Sequence, residues 1–168
     1  MEIIKVEHLT KIYGSDTNKA LKLLNQGQDN NTIKKKTRQV VGVRDVSFHI
    51  EPGESFVIMG LSGSGKSTLL RCLNGLISAT AGKIFIEGQE LTGMPAHSLE
   101  KLRRQKMSMV FQRFALLPHR TVLGNVDYGL EIQGLARAER RQKSLQAIAM
   151  VGLKGWEDSY PADRKSVV

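Results

Sequence analysis

Gly60 to Thr68 reads GLSGSGKST, and the apolar run SFVIM, Ser55 to Met59, stands directly before it. The stretch satisfies G-x-x-x-x-G-K-[ST] with Gly60, Gly65, Lys66 and Ser67, and Leu69, Leu70 and Leu73 follow at helical spacing. Glycines let a backbone curl so that successive N–H groups point inward and make a nest for phosphate oxygens. A helix starting near Lys66 adds the positive end of its dipole to the same place. The expected phosphate site is therefore Gly60, Leu61, Ser62, Gly63, Ser64, Gly65, Lys66, Ser67 and Thr68. In it the Lys66 ammonium reaches the β- and γ-phosphates and the Ser67 hydroxyl ligates Mg²⁺. The bland alternative is a glycine-rich turn with a chance lysine, but strand, loop and helix fall in register. Alone, the loop does not separate a kinase from a GTPase or a transport ATPase.

Working outward, Ile3 to Leu9 reads as a strand with Ile4, Val6 and His8 on one face. Asn18 to Gln26 carries Ala20, Leu21 and Leu24 at helical spacing, with Gly27 placed to end the helix. Asp29 to Arg38 is polar and basic, a second short helix. Val40 to Ile50 alternates but changes phase: Val41 and Val43 share one parity, Val46, Phe48 and Ile50 the other. A bulge near Arg44 and Asp45 is the expected cause. Glu51 to Glu54 is a turn, and Ser55 to Met59 a buried strand. GKIFIEGQEL is a hairpin turning at Gly88. Pro95 to Gln105 starts a basic helix, and Met107 to Phe111 is another apolar strand. Thr121 to Ile132 and Ala136 to Val151 are helices parted by Gly134. The second has a Leu145, Ile148, Ala149 stripe opposite Arg140, Arg141 and Lys143.

Composition excludes several classes. With 168 residues the chain can bury one real core, and no apolar run approaches the roughly 20 residues that span a bilayer. MEIIKVEHLTK has an acid at position 2 and no apolar signal core, so it does not read as a secretory leader. The single cysteine, Cys72, forms no internal disulfide and reads as a small buried residue in a reducing cytoplasm. His8, His49, His97 and His119 lack metal-ligand spacing. The net charge is +9, but the basic residues are scattered and no aromatic platform lies among them, which argues against nucleic acid.

Three further stretches narrow the class. VEHLTKIYG places Tyr13 after the first strand. VSFHIEPGESFVIMGLSGSGKSTLLRCLNGL joins an antiparallel hairpin to the phosphate loop, and MSMVFQRFALLPHRTVLGNV places Gln112 at a strand end. Together with the loop they resemble the ATPase subunit of an ABC transporter, from the first strand to about Pro161. The fold implied is α/β, a P-loop NTPase of ABC-ATPase type. It comprises an antiparallel β subdomain, the start of the RecA-like core and the start of the helical subdomain, and it is truncated. Residues 1–162 are then the N-terminal part of a nucleotide-binding domain, with a helical insert at 18–38. The insert ALKLLNQGQDNNTIKKKTRQ, followed by VVGVRDVSF, is similar to the glycine betaine/proline (osmoprotectant) importers. One departure is Asn74-Gly75-Leu76, where that family leads one to expect arginine at position 75.

The resemblance implies that Tyr13 stacks on adenine, its alternative being a packing residue at a strand end. It implies that Gln112 contacts Mg²⁺ and the attacking water; otherwise it is a polar strand terminus. Phe114, Leu116, Leu117, Pro118 and His119 are either part of a cleft for a membrane-subunit helix or core of the small subdomain. The implied cofactors are ATP and Mg²⁺. The implied partners are a second ATPase subunit, a membrane permease and, indirectly, a solute-binding protein, at the cytoplasmic face of the membrane. After Tyr160-Pro161 the family continues into a Leu-Ser-Gly-Gly signature, an acidic strand end with the catalytic base, and a switch histidine. Those segments also supply central strands, so without them hydrolysis is not expected and the core is expected to be incompletely covered. Asp163 to Val168, DRKSVV, is expected to be a non-native tail: these residues can be encoded by GAT CGG AAG AGC GTC GTG, which reads like a common sequencing adapter. Two alternatives stay open: an importer ATPase for another solute such as an amino acid, and a nucleotide-binding protein that never hydrolyses ATP.

Overall fold

The structure is a computed structural model that describes residues 2–111 and 116–162. It divides into two compact units, Met1–Met109 and Val110–Val168, each taken by itself below.

The first unit is built on a four-stranded antiparallel sheet in the order β2-β1-β3-β4, from β1 (Ile4–Tyr13), β2 (Val40–Ile50), β3 (Ala81–Ile86) and β4 (Gln89–Glu90). Strand β1 runs on to Tyr13 instead of stopping near Leu9. Its register against β2 shifts between Val6 and Leu9 and again on either side of Lys11. His8 (φ 49) and Asp45 (φ 46) take left-handed backbone at these irregularities. The phase change expected at Arg44 and Asp45 is therefore present, and it has a partner on β1. Because of it His8 does not share a face with Val6: Val6, Leu9, Thr10 and Ile12 are the buried residues of β1, and His8 pairs with Asp45 at the surface, Nδ1 to Oδ1 2.8 Å. The β3–β4 hairpin turns through Glu87 (φ 48) and Gly88 (φ 78), the two left-handed residues a tight primed turn needs.

Helix α3 (Lys66–Leu73) buries Leu69, Cys72 and Leu73 against Val6, Leu9, Ile84 and Ile86, and Leu102 of α4 (Ala96–Lys106) closes the same core. Burial pushes the Cys72 thiol above its ordinary range, as an apolar site disfavours thiolate. Gly75 ends α3 in left-handed backbone (φ 61); its N–H donates to the Cys72 carbonyl, and that of Leu76 to the Arg71 carbonyl. A side chain at 75 would be strained and would press on Leu99 Cδ1, 2.7 Å from its Cβ. Glycine meets this conformation without strain, where the family resemblance leads one to expect arginine. Helices α1 (Thr17–Asn25) and α2 (Asn30–Thr37) form a separate small core with Ile12, made by Ala20, Leu24 and Ile33.

Two expected strands are not strands. Ser55 to Met59 and Met107 to Phe111 have no ladder partner among the described residues, and Val57 (74% exposed), Met59 (87%) and Val110 (97%) face outward. Their apolar composition is that of a strand covered on both faces, and an extended segment becomes a strand only where a neighbour takes its backbone hydrogen bonds.

In the second unit α5 (Val122–Ile132) packs on α6 (Arg137–Met150), with Leu123 and Ile148 buried. The buried face of α6 is Arg140, Ser144 and Ile148, not Leu145, Ile148 and Ala149, and Leu145 and Ala149 are exposed. On this face Arg140 forms an ion pair with Asp127 of α5, 3.4 Å between Nε and Oδ2. Among the described residues no helix is long and apolar enough to cross a membrane.

Candidate functional site

The phosphate loop leaves the extended segment at Met59 and enters α3 at Lys66. Gly63 (φ 80) and Gly65 (φ 94) supply the left-handed turns that fold it back on itself. Gly65 has a second reason to lack a side chain: a Cβ there would run into the Gly42 carbonyl of β2. The Lys66 ammonium lies over the loop and donates to the Gly60 and Leu61 carbonyls, 2.7 Å each, with the Ser64 hydroxyl 3.4 Å away. No carboxylate pairs with it among the described residues. An unneutralised ammonium and the N-terminal end of α3 thus meet in one concavity, an arrangement that suits an anion with several oxygen acceptors. Ser67 stands exposed in the first turn, and Thr68, next to it, faces Tyr13.

Tyr13 is brought to this loop. Its hydroxyl lies 3.2 Å from Thr68 Oγ1, and the residue remains 39% exposed. The Lys11 ammonium sits 5.3 Å from the ring centroid. The Cδ2–Cε2 edge of the ring lies close to Gly42, where a Cβ would come within 2.8 Å of Tyr13 Cε2. Gly42 therefore touches both halves of the site, the Tyr13 ring through its Cα side and Gly65 through its carbonyl. Sequence reasoning missed it: a glycine amid the β-branched run VVGVRDV was the available signal. Beside the loop, a cleft of about 630 Å³ follows β2 and residues 56–59, walled by Val43, Phe48, Phe56, Ile58 and Leu69 and closed at one end by Gly65 and Lys66.

Gln112, and with it Phe114, lies outside the described residues. In the second unit the stretch Leu116 to Arg120 is held by one side chain. Asn125 Oδ1 accepts from the Leu117 N–H (2.7 Å), and its Nδ2 donates to the carbonyls of Leu117 (3.1 Å), Arg120 (2.9 Å) and Thr121 (2.9 Å). Thr121 caps α5 by accepting from the Gly124 N–H. Arg120 stacks 4.7 Å from the Tyr128 centroid and donates to Glu131 Oε2 at 2.7 Å. That hydrogen bond, and then the charge of Arg120, hold the Glu131 carboxyl below the usual range. Leu116, Pro118 and His119 are left facing outward, so of the two readings of this stretch the buried one fits Leu117 alone. Asn125 was not singled out from the sequence, where it is one polar residue in an amphipathic helix. Among the described residues no three His, Cys, Asp or Glu side chains stand close enough to hold a metal ion by themselves.

Comparison with known proteins agrees with this geometry. The family described as "ABC transporter" matches residues 43–167. The chain is 53% identical over 158 residues to the glycine betaine transport ATP-binding protein OpuAA of Bacillus subtilis (strain 168), covering 94% of this chain and 38% of that protein. It is 52% identical over 162 residues to the glycine betaine/carnitine transport ATP-binding protein GbuA of Listeria monocytogenes, covering 96% and 41%. The chain thus spans about two fifths of the length of these relatives. Among solved structures it resembles the dimeric post-hydrolysis state of the ATP-binding cassette MJ0796 bound to ADP and Pi, with a TM-score of 0.77 and 28% identity, covering 95% of this chain and 62% of that one.

Proposed function

Since this chain belongs to the ABC transporter family, we propose that it is the nucleotide-binding part of an ATPase subunit that energises import of a compatible solute such as glycine betaine or proline. The observation that carries the reading is the junction of Lys66, the start of α3 and Tyr13 around the Gly60–Thr68 loop. On this reading ATP lies with its phosphates in the loop and its adenine on the Tyr13 ring. Lys66 exchanges its hydrogen bonds to the Gly60 and Leu61 carbonyls for bonds to phosphate oxygens, and loop N–H groups take the remaining oxygens. Mg²⁺, when bound, neutralises phosphate charge and would be held by the Ser67 hydroxyl and by Gln112. Gln112 would also orient the attacking water, while the general base and the signature segment come from the longer protein. Two such subunits would pair head to tail and work beneath a permease at the cytoplasmic face of the membrane, with a solute-binding protein delivering cargo. The outward Leu116, Pro118 and His119 would meet a helix of that permease.

The test is uptake by the full-length protein assembled with its permease and binding protein in vesicles. ATP-driven accumulation of glycine betaine, abolished by Lys66→Ala, is expected. Accumulation of an amino acid with betaine ignored would overturn the solute assignment. ATP-independent uptake would overturn the energising role.

A further inference from the structure

The α1–α2 insert contributes Asn30 to the lining of the cleft beside the phosphate loop, and it is built onto the strand end that carries Tyr13. Ile12 is buried among Ala20, Leu24 and Ile33, with Val41 packed alongside. Ile12 and Val41 are register partners, and Tyr13 and Val40 are the next pair. On the opposite face the Tyr13 ring lies on Gly42 and its hydroxyl reaches Thr68. The last residues of β1 are thus clasped between the insert and the helix of the phosphate loop.

The sheet pairs them on one side alone, Ile12 with Val41 and Tyr13 with Val40 of β2. Pairing with β3 ends at Thr10 and Ala81, and the register with β2 slips at Lys11, so the sheet upstream does not fix the rotation of Ile12 and Tyr13. Beyond Thr10 the β3 side holds Ile12 through the Thr80 hydroxyl, which accepts from the Ile12 N–H at 2.9 Å and donates to the Ile12 carbonyl at 3.3 Å. A second link runs from the insert to the residue after Tyr13. The Thr37 hydroxyl donates to the Ile33 carbonyl at 2.7 Å and accepts from the Gln39 N–H at 3.1 Å, and Gln39 Nε2 donates to the Thr37 carbonyl. Arg38 in left-handed backbone (φ 59) turns the chain, so that the buried Gln39 carboxamide lies where any side chain on Gly14 would go. Ile33 thus packs on Ile12, the residue before Tyr13, and Gln39 packs on Gly14, the residue after it.

We propose that the α1–α2 insert is a positioning element for the nucleobase of the bound nucleotide, with Ile33 and Gln39 setting the attitude of the Tyr13 ring. The inference rests on Tyr13 meeting the base. It is tested in the full-length protein by titrating two ligands, ATP and inorganic tripolyphosphate, which shares the phosphates but has no base. Ile33→Ala and Gln39→Ala should each weaken ATP about three- to tenfold, the worth of one aromatic contact, and leave tripolyphosphate unchanged. In a Tyr13→Ala background neither should weaken ATP further. Ile33→Val, which removes one methylene, should show a smaller shift of the same ratio and carries the test if the alanine variant does not fold. Equal weakening of both ligands, or no effect on ATP, overturns the positioning role while Tyr13→Ala still shifts the ratio. If Tyr13→Ala leaves the ratio of the two affinities unchanged, the base does not meet Tyr13 and the inference falls with that reading.

Discussion

Two loops of this chain are held in opposite ways. The phosphate loop owes its shape to missing side chains: Gly65 has no room beside the Gly42 carbonyl, and Gly42 has none beside Tyr13. The stretch from Leu116 to Thr121 owes its shape to one side chain that is present, the Asn125 carboxamide with its four backbone contacts. The lesson concerns legibility and fragility together. A loop shaped by close backbone approach must be written in glycine, so it reads as a motif and tolerates nothing larger. A loop shaped by a polar side chain depends on a residue that looks ordinary in sequence, and its failure is a loss of hydrogen bonds instead of a collision.

Substitutions can break that contrast. The largest effect is expected for Gly65→Ala, where left-handed strain of about 1–2 kcal/mol adds to a backbone collision that cannot relax cheaply. ATP binding by the full-length protein should become undetectable by calorimetry, and near-native affinity would show that the loop has room after all. Next comes Asn125→Ala, which takes the side-chain partner from the Leu117 N–H and the Arg120 carbonyl, while the Leu117 and Thr121 carbonyls keep the N–H groups of Arg120 and residue 125, at a cost of roughly 2–3 kcal/mol. Thermal unfolding should register that loss while ATP affinity stays unchanged. Asn125→Asp should not restore it, because the amide donors are gone. Ser144→Ala sharpens the point from the other side. The Ser144 hydroxyl is fully buried and has no hydrogen-bond partner among the described residues. Its removal should lie within about 1 kcal/mol of neutral, on the stabilising side. Marked destabilisation would reveal a hydrogen bond there.

The smallest effect belongs to Glu131, whose carboxyl is held low by the Arg120 hydrogen bond and charge. A lowered folded value stabilises the fold above the unfolded value, and the gain is lost as pH falls through the folded one. Glu131→Gln should therefore lower stability slightly at neutral pH and narrow the gap to the parent protein under acid. A gap that widens in acid would contradict the sign.

Much of this was legible in the sequence, and what was not failed for identifiable reasons. The phosphate loop, the helix after it, the phase slip at Arg44 and Asp45 and the turn at Glu87-Gly88 are local: each needs a conformation that only certain residues reach cheaply. The approach of Tyr13 to Thr68 was not visible, because 55 residues separate them and the irregular β1–β2 register sets where the ring points. Ser55 to Met59 and Met107 to Phe111 have the composition of buried strands, but composition does not supply the neighbours that make a strand. The face of α6 differs from the apolar stripe at Arg140, which is half-buried and ion-paired with Asp127, a partner that periodicity within one helix does not show.

The central claim is that Lys66 completes an anion site which the glycine backbone has already shaped. The direct measurement is the equilibrium affinity for ATP of the full-length protein and of its Lys66→Ala variant, with folding checked by thermal unfolding. The account predicts a loss of at least about a hundredfold, roughly 3 kcal/mol, at unchanged stability. Undiminished binding by a folded variant would contradict it.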